Sequence, residues 1–168
     1  MEIRFRRPAI QDAPAITNLI RNGGGLDANS HYAQLLLCHH FRDTCVLAEH
    51  ESEIVGFVSG YRPPTTPDVL FVWQVAVSAQ MRGMGIAGRM LTDLAQRAVA
   101  DGCRFLEATV TPSNQASRRL FESFAQRHDA ELARTRLFPA ELFAGAEPHE
   151  PEDLFRIGPL PSMTPTRR

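Results

Sequence analysis

Lysine is absent from this chain of 168 residues, and all 18 of its basic side chains are arginine. No Schiff-base chemistry is therefore open to it, and no ammonium point charge is available to grip a phosphate. Cysteine is scarce: Cys38, Cys45 and Cys103 are widely spaced, odd in number and free of any CxxC pair. They read as small buried residues in a reducing compartment, with no metal site. No apolar run approaches the roughly 20 residues of a membrane span, and MEIRFRRP at the start has no apolar leader core. A cytoplasmic location is expected. The formal net charge is -1, and no block of like charge stands out. That argues against nucleic acid or an acidic membrane as the principal partner.

With 43% hydrophobic and 22% charged residues, the composition is that of an ordinary globular domain, and the length suits one domain. Residues 1–160 are read as that domain and residues 161–168 as a disordered tail. Met1 to Arg7 alternates as a strand. Asp12 is expected to cap a helix through Ile16, Leu19 and Ile20 that stops at Gly23-Gly24-Gly25. Asn29 or Ser30 can cap a second helix with Tyr32, Leu35, Leu36 and Leu37. TCVLAE (44–49) and IVGFVSGY (54–61) read as a hairpin. VLFVWQVAV (69–77) is a continuous apolar run, as in a strand covered on both faces.

From Ile86 the period becomes helical, with Met90, Leu91, Leu94, Ala95, Ala98 and Val99 on one stripe closed at Gly102. FLEATVT (105–111) is a strand, Ser113 begins a helix with Ala116, Leu120, Phe121 and Phe124 inward, and Ala133 to Phe138 is a last strand. Beyond Pro139 the chain is rich in proline and acidic residues, and residues 139–160 read as a segment closing over the substrate. The order β-α-α-β-β-β-α-β-α-β indicates an α/β protein, a mixed sheet with helices on both sides.

Between the apolar strand and the long helix lies Gln80-Met81-Arg82-Gly83-Met84-Gly85. A helix start leaves N–H groups unpaired and carries positive partial charge, and glycines let the backbone approach an oxyanion. The turn is suited to a diphosphate, with Arg82 adding charge. The spacing is neither GxGxxG nor GK[ST], so a dinucleotide or Walker-type reading fails.

Gln80-x-x-Gly83-x-Gly85, in this element order, resembles the acetyl-CoA motif of the GNAT N-acetyltransferase superfamily, and Asn114-x-Ala116 resembles its second cofactor segment. The resemblance implies a mostly antiparallel central sheet that splays after strand 4. It also implies acetyl-CoA as cosubstrate. The backbone of Val75 and Val77 would pair with pantetheine, and the amides of Arg82, Gly83, Gly85, Ile86 and Ala87 would hold the pyrophosphate, with Asn114 beside them.

Four longer segments, LDANSHY (26–32), LLLCHHFRDTCVLAE (35–49), GFVSGYRPPTTPDVLFVWQVAV (56–77) and EPEDLFRIGP (150–159), resemble the L-2,4-diaminobutyrate acetyltransferases of ectoine biosynthesis. That resemblance implies acetylation of the side-chain amine of a small diamino acid by a homodimer. It implies Asp27, Tyr32, His149 and Glu152 as catalytic candidates, and Trp73 and Glu150 with them as substrate contacts. By composition alone the His149–Glu152 cluster would be a solvated turn, Trp73 a core residue and Tyr32 a helix anchor. A GNAT enzyme for another small amine, or an acetyl-CoA-binding regulator without turnover, are the alternatives. The tyrosine that many GNAT enzymes place on this helix to protonate the thiolate is here Phe121, which cannot donate a proton. Arg42 or the start of the second helix could take the substrate carboxylate.

Overall fold

Residues 2–23, 30–143, 145 and 148–163 are described by the computed structural model. Asp27 lies outside them. The first strand, β1 (Arg4–Arg6), leads through a 3-10 turn, Ile10–Asp12, into α1 (Ala13–Gly23). Asp12 closes that turn and does not directly cap α1: its carboxylate accepts the Ala9 N–H at 2.7 Å and two bonds from the Arg6 guanidinium at 2.7 and 2.9 Å. Arg6 Nε reaches Glu49 at 2.9 Å, so one side chain ties β1, the entry to α1 and the second strand. Of the two cap candidates, Ser30 caps α2 (His31–His39), accepting the Ala33 N–H at 3.2 Å.

The hairpin of β2 (Val46–His50) and β3 (Glu53–Tyr61) turns on Glu51 and Ser52, both left-handed at φ 48° and 68°. Such a two-residue turn matches the twist of paired strands. Next to β3 lies β4 (Val69–Val77), whose alternation is broken once. Gln74 is opposite Ser59 and Val72 is opposite Gly60, so Trp73 is an extra residue, a β-bulge. Leu70 and Val72 before it and Val75 and Val77 after it join one core. The inward positions thus change parity at Trp73, and an alternating strand with one slip reads as a continuous apolar run. The strand is covered on both faces, as expected, by the helix Ile86–Ala100 on one side and α1 on the other. The exception is the bulge, where Trp73 is 47% exposed and not a core residue.

The helix α3 (Ile86–Ala100) buries Ile86, Met90, Leu91, Leu94, Ala95 and Ala98 of the expected stripe, with Val99 only half-buried at its edge. Gly102, at φ 92°, ends it while Cys103 N–H closes on Ala98 O at 2.8 Å. The next strand, β5 (Phe105–Val110), runs parallel to β4, and α4 (Gln115–Arg127) follows it. Asn114, one residue later than the sequence suggests, is the N-cap, accepting Ser117 N–H at 3.0 Å. Then come β6 (Leu132–Phe138) and a strand the sequence did not announce, β7 (Glu152–Ile157). It lies between β5 and β6, with Phe155 and Ile157 in the core.

The sheet order is β1-β2-β3-β4-β5-β7-β6, antiparallel except for β4 and β5. One apolar core joins the sheet to α3 and α4, and a second joins it to α1 and α2. This is the mixed, mostly antiparallel α/β architecture expected. All three cysteines are free and buried; burial pushes the Cys38 thiol up to about 11 and the Cys45 thiol up to about 12. Neither is a nucleophile near neutral pH. No helix among the described residues is long and apolar enough to cross a membrane.

Candidate active site

The β4–β5 ladder ends at Val72 opposite Ala108, although β4 continues to Val77. Beyond the bulge the two strands part. Ser78 N–H donates to Val55 O at 2.9 Å, which makes Ser78–Val55 a hydrogen-bonded pair. By the alternation of an antiparallel ladder, Ala76 also bonds to β3, while Val75 and Val77 turn their N–H and C=O groups away from it. Those groups face the gap that β5 has left. An extended ligand entering the gap meets an open strand edge.

The gap widens into a groove of about 770 Å³ at the start of α3. Gly83 and Gly85 are left-handed, at φ 77° and 72°, and no atom stands within 4 Å of a Cβ built on either. Their role is conformational: the turn takes a left-handed backbone at both positions, which glycine adopts without strain. Arg89 N–H donates to Gly85 O at 3.1 Å, leaving the N–H groups of Ile86, Ala87 and Gly88 without a helical acceptor. No acidic residue occupies the first turn of α3. Arg82 lies at the groove wall, its Nε 3.3 Å from Val77 O.

Val75, Val77, Arg82, Gly83, Gly85, Ile86, Ala87 and Asn114 all line this groove. The Asn114 Oδ1 is used in capping α4, so its amide NH2 is the group left to serve a ligand. Sequence reading missed Arg119, Ser123 and Arg127, which line the opposite wall. Their i, i+4, i+8 spacing on α4 was the available signal, overlooked because that helix was read only for its apolar face.

A second cavity, about 290 Å³, lies beyond the bulge and shares Val75, Thr111, Asn114 and Ser117 with the groove. Trp73 walls it from β4, Phe121 from α4, and His149 and Glu152 from the tail. Gln74, buried at 4% exposure, lines it too and was not anticipated. The His149 ring stacks on Phe143 at 3.9 Å, and its Nδ1 lies 2.5 Å from Glu150 O. A carbonyl only accepts, so Nδ1 donates this bond, and in the neutral ring Nε2 is the nitrogen able to accept a proton.

Trp73, His149 and Glu152 are therefore brought together. The Glu150 carboxylate is instead engaged by the N–H and hydroxyl of Ser113 and does not line the cavity. Tyr32, in the first turn of α2, is 68% exposed and does not line it either. Arg42 sits in an exposed 3-10 turn after α2. Phe121, buried at 3% and 6.4 Å from the Phe155 ring, presents only an apolar ring. Among the described residues no group of three or more His, Cys, Asp or Glu could hold a metal ion.

Together the features make an anion cradle, an open strand edge leading from it, and a small cavity at the far end holding an imidazole and a carboxylate. That plan suits group transfer from a long phosphorylated donor to a small polar acceptor. The model of the acetyltransferase (GNAT) family matches residues 15–125. An L-2,4-diaminobutyric acid acetyltransferase of Marinococcus halophilus is 43% identical over 94% of this chain and 91% of its own length. The chain belongs to the GNAT family, in its diaminobutyric acid acetyltransferase branch. A namesake from Streptomyces avermitilis is 46% identical, covering 94% of this GNAT chain and 89% of its own. Among solved structures, the diaminobutyrate acetyltransferase of Paenibacillus lautus, in complex with L-2,4-diaminobutyric acid and coenzyme A, superposes with a TM-score of 0.90. It is 48% identical and covers 94% of this GNAT chain and 95% of its own.

Proposed function

We propose that this chain is an acyltransferase moving the acetyl group of acetyl-CoA to the side-chain (4-)amine of L-2,4-diaminobutyrate, giving N4-acetyl-diaminobutyrate and CoA. The reaction would be a step in making the compatible solute ectoine. The observation that carries the reading is the junction of groove and cavity at Val75, Thr111, Asn114 and Ser117, where a thioester from one side would meet an amine from the other.

The groove residues fit the donor. The amides of Gly83, Gly85, Ile86 and Ala87 suit a pyrophosphate, whereas the Arg82 N–H is drawn to Ala79 O at 3.4 Å and leaves Arg82 to serve through its side chain. The main-chain edge at Val75 and Val77 suits the amides of pantetheine. At the cavity, an alkylammonium of pKa ~10 must lose a proton, at a cost of roughly 4 kcal/mol at pH 7 without assistance. His149 Nε2 is the assigned proton acceptor, and Glu152 draws the cationic amine inward. Trp73 walls the amine against the thioester. The side-chain nitrogen attacks the acetyl carbon, its second proton is lost from the tetrahedral adduct, and the C–S bond breaks. With Phe121 in place of a hydroxyl donor, that proton is the one available to the departing thiolate.

Asp27 and Tyr32 are assigned to the acceptor side on the segment LDANSHY (26–32), as is Glu150, whose bonds to Ser113 hold the tail against the start of α4. Placement must set regioselectivity, because the α-amine is the less basic of the two and would otherwise react first. Residues 1–160 are proposed as one domain, with residues 139–160 enclosing the acceptor. A homodimer is proposed as well; β6 is an edge strand, and Leu137, Phe138 and Leu142 near it are 41%, 42% and 66% exposed. Three free buried thiols suit a cytoplasmic setting.

Thiol release from acetyl-CoA tests the reading with a panel of diaminobutyrate, ornithine, lysine, an aminoglycoside and a peptide amine. Turnover should be highest with diaminobutyrate. Turnover of another amine alone would replace the substrate, and acetyl-CoA binding without any turnover would make the chain a regulator.

A further inference from the structure

Arg127 is the last residue of α4, and its exposed side chain lines the groove. Its Nη1 lies 2.9 Å from the point where a Cβ on Gly88 would stand. Gly88 is the third residue of α3, so the guanidinium rests on the same first turn that presents the unpaired amides. That end of α3 carries positive partial charge and has no acidic residue of its own. Among the described residues no carboxylate forms an ion pair with Arg127. A cation held against the positive end of a helix is unfavourable unless an anion joins them.

Position 127 alone has a simpler explanation, since a basic residue suits the last turn of α4. That does not account for the head group crossing to α3. Nor does it account for glycine within α3, where alanine would be the better helix former. The missing side chain at position 88 is what admits the guanidinium. Arg119 and Ser123 continue the same face of α4, so the wall opposite the amide cradle is itself cationic.

We propose that Arg127, seated on Gly88, binds a phosphate of the acetyl donor and closes the anion site from the α4 side. The inference rests on the groove being the acetyl-CoA site. CoA offers two separate anionic groups of this chemistry: the pyrophosphate, and the 3′-phosphate of the ribose.

Calorimetric titration of the full chain with CoA and with dephospho-CoA separates them. Wild-type protein that binds neither would sink the groove assignment itself. Given wild-type binding, Arg127→Gln should weaken CoA about tenfold or more, as expected for a charge-assisted bond, with Arg127→Lys intermediate. An equal loss against both ligands places Arg127 on the pyrophosphate; a loss confined to CoA places it on the 3′-phosphate. The kcat at saturating acetyl-CoA should stay unchanged while KM rises. Gly88→Ala should weaken CoA by displacing the guanidinium, and should cost nothing further in the Arg127→Gln background. Unchanged affinity of Arg127→Gln for both ligands overturns the proposal, and so do fully additive losses in the double variant.

Discussion

The donor groove and the acceptor cavity meet at four residues, yet they are built in opposite ways. The groove's central part is contiguous: a strand edge, a glycine turn and a helix start follow one another from Val75 to Gly88. The cavity takes Trp73 and Gln74 from β4, Phe121 from α4, and His149 and Glu152 from the tail. The groove's floor belongs to one chain segment, with α4 supplying only the opposite wall, while every wall of the cavity comes from a different element. Binding of the donor should therefore survive changes that abolish transfer, and the two functions should be separable by mutation.

The largest expected effect is on the cavity. His149→Ala should lower kcat by about 10²–10⁴-fold, the span of a lost general base, while calorimetry shows unchanged acetyl-CoA affinity. A parallel loss of affinity would break the separation. Gly83→Val is the converse: a β-branched residue at φ 77° stores roughly 1–3 kcal/mol of strain in the turn. Acetyl-CoA binding should weaken about tenfold, with kcat largely kept at saturation. Intact affinity would contradict the cradle.

How much of this was legible follows the same division. The α3 stripe, the Ser30 cap and the turn from Gln80 to Gly85 obey local rules of period, capping and helix-end charge, so their residues declare them. The bulge at Trp73 does not, because one extra residue inside VLFVWQVAV leaves no compositional mark and only hides the alternation. β7 was hidden by the proline and acidic residues around it, and its pairing with β5 and β6 is non-local. The residues proposed for the acceptor, Trp73, His149 and Glu152, were named from resemblance, since no spacing rule unites β4 with the tail. Arg127 and Gly88 were missed because their contact joins two helices that only the fold brings together.

Smaller effects sharpen the contrast. Phe121→Tyr puts a hydroxyl at the edge of the cavity, yet kcat at pH 7 should change by no more than about threefold. A thiol of ordinary pKa near 8.5 departs as an anion without a dedicated donor. A much larger gain would show that thiolate protonation limits the reaction.

Arg6→Gln lies outside both sites and serves as a stability control. The Arg6 guanidinium holds the Asp12 carboxyl below the usual carboxylate range, against the opposing effect of burial. A depressed folded-state value adds stability above the ordinary carboxylate pKa of about 4, which is lost as pH falls through the depressed value. The variant should be about 1–3 kcal/mol less stable at pH 7 by urea unfolding, with the difference shrinking as pH falls below about 4. A difference independent of pH would remove the ion pair as its cause.

The most direct measurement combines both sites in one reaction. The full chain is mixed with acetyl-CoA and L-2,4-diaminobutyrate, thiol release is followed, and the acetylated nitrogen is located by NMR. One thiol released per acetyl group found on the side-chain nitrogen is the predicted result. Acetyl on the α-nitrogen, or thiol release without acetylated diaminobutyrate, would contradict it.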